Sequence, residues 1–156
     1  MRARRLTFGC LTPLAGASAA ALAACDARPA PAPGKVTVAG AWARPAAAGA
    51  GSAAYFTLHN GTRDTVVLVA VSTPSARAAS LHATVTAGHG PGATAHMAPL
   101  ARAAVPPGDS LVLAPLGPHV MLDGLVRPLA PGDRVPLVLR LASGDSVPAV
   151  AEVRAP

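Results

Sequence analysis

From Val36 to the C-terminus the apolar residues fall into short runs, several alternating with polar ones, and each run stops at a cluster of turn formers. The runs Val36–Ala39, Ala53–Asn60, Thr65–Ser72, Ser80–Thr86, Thr94–Pro99, Ser110–Ala114, His119–Leu122, Asp133–Leu141 and Ser146–Val153 read as strands, since a two-residue alternation suits a half-buried strand. Between them lie Asn60-Gly61, Gly88 to Gly92, Pro106-Pro107-Gly108-Asp109, Asp123-Gly124, Pro131-Gly132-Asp133 and Ser143-Gly144-Asp145, all good turn chemistry. No stretch keeps a helical period clear of Gly and Pro. Many short strands at regular spacing predict an all-β antiparallel domain, a Greek-key β-sandwich or barrel.

Strand parity sorts the polar residues. His119 and Met121 are two apart and project from one face, while Val120 and Leu122 between them suit the core. The pair is therefore expected to face outward or toward a rim. His82 alternates with Leu81 and Ala83 and falls on the polar face of its own strand. Asp123 shares the parity of Met121, which suits it either to orient an imidazole from outside the ligand set or to form the turn with Gly124.

The N-terminus changes the picture of the first 34 residues. Met1-Arg2-Ala3-Arg4-Arg5, an apolar stretch to Ala24 and the closing Leu22-Ala23-Ala24-Cys25 have the anatomy of an export signal ending in a lipobox. Residues 1–24 are read as a lipoprotein signal peptide and Cys25 as the lipidated residue. The following Asp-Ala-Arg-Pro-Ala-Pro-Ala-Pro-Gly is a semi-rigid spacer, so that 25–34 tethers one domain spanning 35–156 to a membrane.

Cys10 lies in the removed segment and Cys25 is the lipid site, so the domain has no free thiol. That excludes a disulfide, a cysteine nucleophile and a blue-copper centre, which needs a thiolate beside two imidazoles. Loss of Arg2, Arg4 and Arg5 leaves ten basic against seven acidic residues, scattered singly, and with few aromatics this argues against nucleic-acid binding. There is no His-Glu-x-x-His and no Gly-x-Ser-x-Gly to support an enzyme.

The chemistry that remains belongs to a metal. Beyond the initiator there are two methionines, in the pattern Met97, 21 residues, His119-Val120-Met121, and His82 lies upstream. Two imidazoles and two thioethers suit a soft ion, with Cu(I) ahead of Cu(II), because thioether sulfur competes poorly for hard cations. His89 and His96 are extra imidazoles, either accessory ligands or solvated. A Cu(II) or zinc buffer built on His82, His89, His96 and His119 is the alternative. Parity alone does not bring His82, Met97 and the His119/Met121 pair together.

Three segments carry a family resemblance: Ala41-Trp42-Ala43-Arg44-Pro45, Ala53-Ala54-Tyr55-Phe56-Thr57-Leu58-His59-Asn60, and the run from His119 through Leu137 that begins His-Val-Met-Leu-Asp-Gly-Leu. From Val36 onward the chain resembles the periplasmic copper chaperones called PCuAC. The resemblance implies a cupredoxin-like β-barrel, no catalysis, and Cu(I) held by His82, Met97, His119 and Met121. It also implies delivery to the CuA centre of cytochrome c oxidase subunit II or exchange with a Sco-like copper protein, outside the cytoplasm. Two departures stand out: Ala83 and Thr84 follow His82 where the family commonly has Glu or Met, and the interval from His82 to Met97 differs slightly.

Overall fold

The computed structural model describes residues 34–87 and 94–155. Every regular element among them is a strand: β1 (Val36–Ala43), β2 (Ser52–Asn60), β3 (Val66–Ser72), β4 (Ala76–Ala87), β5 (Thr94–Pro99), β6 (Ala103–Val105), β7 (Ser110–Leu113), β8 (His119–Leu125), β9 (Arg134–Leu141) and β10 (Ser146–Val153). The expected signal segment, Cys25 and the spacer before Gly34 lie outside the described residues, as does His89.

The strands form one sheet in the order β5-β4-β8-β2-β1-β10-β9-β3-β6, and β7 pairs with β2 further along the edge that β8 occupies. The sheet folds over on itself, β3 meeting β4 and β6 meeting β7. Alternation fills the space between. On β9, Val135, Leu137, Leu139 and Leu141 are buried while Arg134, Pro136 and Arg140 point away, and Phe56, Leu58, Leu68, Val120 and Leu122 join them in one core. This is the expected all-β sandwich or barrel. One pairing departs from the antiparallel expectation: β1 and β10 run parallel at Trp42↔Glu152 and Ala43↔Val153. They are the first and last strands of the domain, so no hairpin dictates their relative direction.

A bulge in β1 decides which way Trp42 points. Register passes from Ala39↔Thr57 to Trp42↔Tyr55, three steps on β1 against two on β2, and Gly40 takes a φ of 61° there. The extra residue shifts the alternation, so Ala43 enters the core opposite Ala54 and Trp42 lies over Tyr55 on the outer face. Two strand prolines are placed where no donor is needed. Pro136 lies beyond the end of the β3 pairing and Pro148 lies outside the short β1 pairing of β10.

The chain enters the domain at the Asn60 end of β2, where Gly34 N donates to Gly61 O and Gly61 N to Lys35 O. Asn60 is buried there, its amide donating to Asp64 O and Val105 O at 2.8 Å and to Pro106 O at 3.1 Å. Its carbonyl oxygen accepts from Thr62 N at 3.0 Å and Thr62 Oγ1 at 2.6 Å.

At the turn before β9, Asp133 accepts Ala130 N–H and Arg127 Nη1–H, each at 3.0 Å. These bonds, the backbone one foremost, hold its carboxyl below the ordinary value of 3.8. A carboxyl depressed by folding contributes stability that is present above its unfolded value and is lost as pH falls through the folded one. Asp133→Asn should therefore lower the urea midpoint at pH 7, and its difference from the native chain should close only below pH 3.8. Equal differences at pH 7 and pH 2.5 would refute the assignment.

Candidate metal centre

The site is built on the adjacent strands β5, β4 and β8. Register sets His82 directly opposite His119 and Ser80 opposite Met121 on the β4–β8 pair, and Thr84 opposite Met97 on the β4–β5 pair. Paired residues share a face, and so do residues two apart on one strand. All four predicted residues, His82, Met97, His119 and Met121, therefore lie on the same face of three neighbouring strands. The opposite face of these strands carries Leu81, Val120 and Leu122, all in the core.

The side chains are close. The His82 and His119 rings stack with centroids 6.1 Å apart, and His119 Nε2 lies 3.2 Å from Met97 Sδ. Met121 lines the same hollow as Met97 and His119. His119 Nδ1 donates to Gly117 O at 2.9 Å, which in the neutral ring leaves the lone pair on Nε2. That lone pair then faces a thioether, which also has only lone pairs to offer, so the contact lacks a proton and suits a cation shared by both. Bond lengths of ~2.0 Å to nitrogen and ~2.3 Å to sulfur for a borderline-soft ion span such a gap.

His82 shows the same deficit. Its Nε2 faces Ser80 Oγ at 3.1 Å, while its Nδ1 is buried without a hydrogen-bond partner. An unpaired buried ring nitrogen is costly, and a metal bond is one way to satisfy it.

The side chains differ in exposure: His119 is only 6% exposed on the non-core face, with Tyr55 of β2 and Met97 of β5 beside it, whereas Met97 is 56% exposed at the rim. Asp123 is exposed and the acceptor that orients the imidazole is the carbonyl of Gly117. That carbonyl is presented by the turn between β7 and β8, where Gly117 N bonds Ala114 O and Leu116 takes a φ of 65°. His96 is exposed and lines the hollow. His59 is far off along β2, its Nδ1 2.6 Å from Ser110 Oγ. Among the described residues no three His, Cys, Asp or Glu side chains group as a metal cluster.

The hollow has a volume of about 570 Å³ and is lined by Met97, His119 and Met121 together with Tyr55 and Ser52 of the adjacent β2 and with Arg44. Tyr55 is 4% exposed, its ring tilted against Trp42 at a centroid distance of 4.4 Å. The Arg154 guanidinium caps Trp42 at 4.9 Å. Sequence reasoning missed this part of the lining. Its signal was available in Tyr55, a large aromatic on the outer parity of β2, opposite to Ala54, Phe56 and Leu58.

The family model LpqE-like, described as "Putative lipoprotein LpqE-like", matches residues 36–153. The chain belongs to the LpqE-like family. A relative from Leifsonia xyli subsp. xyli, "Putative lipoprotein Lxx21020", is 33% identical over 119 residues, covering 76% of this chain and 69% of its own. This LpqE-like domain also shares its fold with PCuAC domains. The copper-bound PCuAC domain from PmoF2 superposes with a TM-score of 0.64 at 22% identity, over 80% of this chain and 97% of its own. Apo-DR1885 from Deinococcus radiodurans is 32% identical, with a TM-score of 0.55 over 98% of this chain and 97% of its own. The CuI form of DR1885 covers 73% of this chain and 76% of its own with a TM-score of 0.51.

Proposed function

We propose that this protein is an extracytoplasmic Cu(I) carrier, anchored by lipid on Cys25, that hands copper to cuproenzymes, with the CuA site of cytochrome c oxidase subunit II or a Sco-like protein as the acceptor. The observation that carries the reading is the 3.2 Å approach of His119 Nε2 to Met97 Sδ, with the other ring nitrogen held by Gly117 O. Neutral thioethers bind Cu(I) without losing a proton, and the Met97 thioether stands at the rim, where an acceptor's ligand can displace it first. DR1885 is solved in a CuI form, which supports the choice of cargo. The LpqE-like lipoprotein family and the Leifsonia relative support the lipid anchor.

A competition titration with a chromophoric chelator under reducing conditions tests the cargo. One Cu(I) per chain is expected. Binding of Cu(II) or zinc that outlasts loss of both methionines would favour a histidine buffer instead. Delivery is tested by mixing the loaded protein with an apo subunit II domain and separating the two; copper that stays with the donor counts against transfer.

Ser80 supplies a further check. Its hydroxyl is the hydrogen-bond partner of the His82 ring, and loss of such an outer partner lowers metal affinity by roughly 10–100-fold. Ser80→Ala should weaken Cu(I) binding by about tenfold at unchanged thermal midpoint. Wild-type affinity in this variant would mean that His82 is not a ligand.

A further inference from the structure

We propose that the copper-loaded hollow takes up a soft monoanion, a halide or a thiolate, as an added ligand beside Arg44 and Tyr55. This rests on the Cu(I) reading above.

Charge is the first reason. Two thioethers and two neutral imidazoles bring no negative charge, so Cu(I) bound by them leaves a full positive charge beside a histidine that is 6% exposed. No Asp or Glu lines the hollow, and Arg44 adds a second cation to it. Arg44 is itself exposed, so its charge is solvated, and the bound ion beside the buried His119 is the charge that an incoming anion would offset.

The second reason is the character of the neighbouring lining. Tyr55 is almost wholly buried yet lines the hollow, its ring centroid 6.4 Å from that of His119. Arg44 has no carboxylate at ion-pair distance among those residues. A guanidinium and a phenol both donate, so together they select an acceptor that carries negative charge.

Size and softness narrow the class. A hollow of about 570 Å³ is far larger than one ion requires, a water in the liquid occupying only ~30 Å³. There is room for an entering ligand beside the metal. Cu(I) prefers soft donors, which favours a halide or thiolate over a hard oxyanion. The two sources are a free anion and the cysteine thiolate of an acceptor, and the latter would make the hollow the place where a three-centre intermediate of donor, ion and acceptor forms.

The test measures the Cu(I) affinity of the full chain in detergent against a bis-chelating chromophore, with bromide replacing nitrate at constant ionic strength. Bromide's own complexation of Cu(I) cancels because protein and chelator share one free-ion pool. An affinity gain of about tenfold at 0.1 M bromide is expected, as for a bromide dissociation constant near 10 mM. The gain should vanish in Arg44→Gln and shrink in Tyr55→Phe, both checked for folding by circular dichroism. X-ray absorption of the bromide-loaded form should show bromine bound to copper.

A parallel arm uses N-acetylcysteinamide, whose thiol is its single ionisable group. A steeper, Arg44-dependent gain with the thiol supports a thiolate entrant; a steeper gain with bromide supports a free halide. A wild-type affinity that ignores both, or a gain that survives Arg44→Gln, overturns the proposal. The nitrate-only titration reads the metal site by itself, so failure to bind Cu(I) there defeats both readings, whereas binding with no anion response defeats this one alone.

Discussion

Replacing Met97 and Met121 together by leucine should cost this protein most of its Cu(I) affinity while leaving its fold and stability nearly untouched. Met97 is 56% exposed and Met121 half-buried, and a Met-to-Leu exchange conserves volume, so packing changes little. What disappears is two soft donors. Loss of an outer hydrogen-bond partner already lowers metal affinity by 10–100-fold, and loss of two direct ligands should exceed about 100-fold. The imidazoles remain, so residual Cu(II) or zinc binding should persist in the same variant. Competition titrations with each ion on both proteins decide the matter. Cu(I) affinity within a factor of a few of wild type would remove the methionines from the site and leave the histidine buffer as the reading.

Asn60→Ala should give the largest loss of stability available from a single polar residue. Its amide serves Asp64 O, Val105 O and Pro106 O while its oxygen holds Thr62. Truncation strips the donor from the Val105 carbonyl beside a buried valine and releases the loop that joins β2 to β3. At ~1–3 kcal/mol for each buried group left unpaired, a loss of about 3 kcal/mol is expected. That lowers the thermal midpoint by roughly 10 °C for a domain of this size. Asn60→Asp is the informative partner: it can still accept from Thr62 but cannot donate, so it should be destabilised comparably at neutral pH. A midpoint within a degree or two of wild type for either variant would show that water replaces the amide.

Strand periodicity made the core legible. The alternation at Val120 and Leu122 marked the buried face without any knowledge of pairing, and it placed His119 and Met121 together. Register was not legible, because it depends on which strands meet. The 14 residues between His82 and Met97 include a glycine-rich stretch that leaves their offset open, and pairing of Thr84 with Met97 settles it. The expected strand Ser80–Thr86 begins four residues earlier, at Ala76, because Ala76-Arg77-Ala78-Ala79 offers almost no apolar contrast. Strand β6 is three residues long and escaped for the same reason. At Gly40 the sequence suggested a stop where the chain bulges and continues, a distinction made by hydrogen bonding to β2. Gly117 could not be foreseen as the imidazole's acceptor, since any residue provides a carbonyl and only the turn aims it.

The polypeptide joins this domain beside Asn60, whereas Met121 pairs with Ala53, seven residues away along β2. At ~3.3 Å per residue the cargo sits about 23 Å from the point of attachment. The proposed lipid would sit on Cys25, in the Ala/Pro-rich sequence that runs to Gly34. A lipid on Cys25 would tether the domain by its Asn60 end, the end of β2 away from the copper ligands. Such a tether trades three-dimensional diffusion for a search close to one membrane, and it favours acceptors that stand on that membrane. Shortening the spacer would penalise delivery to them without altering how tightly copper is held.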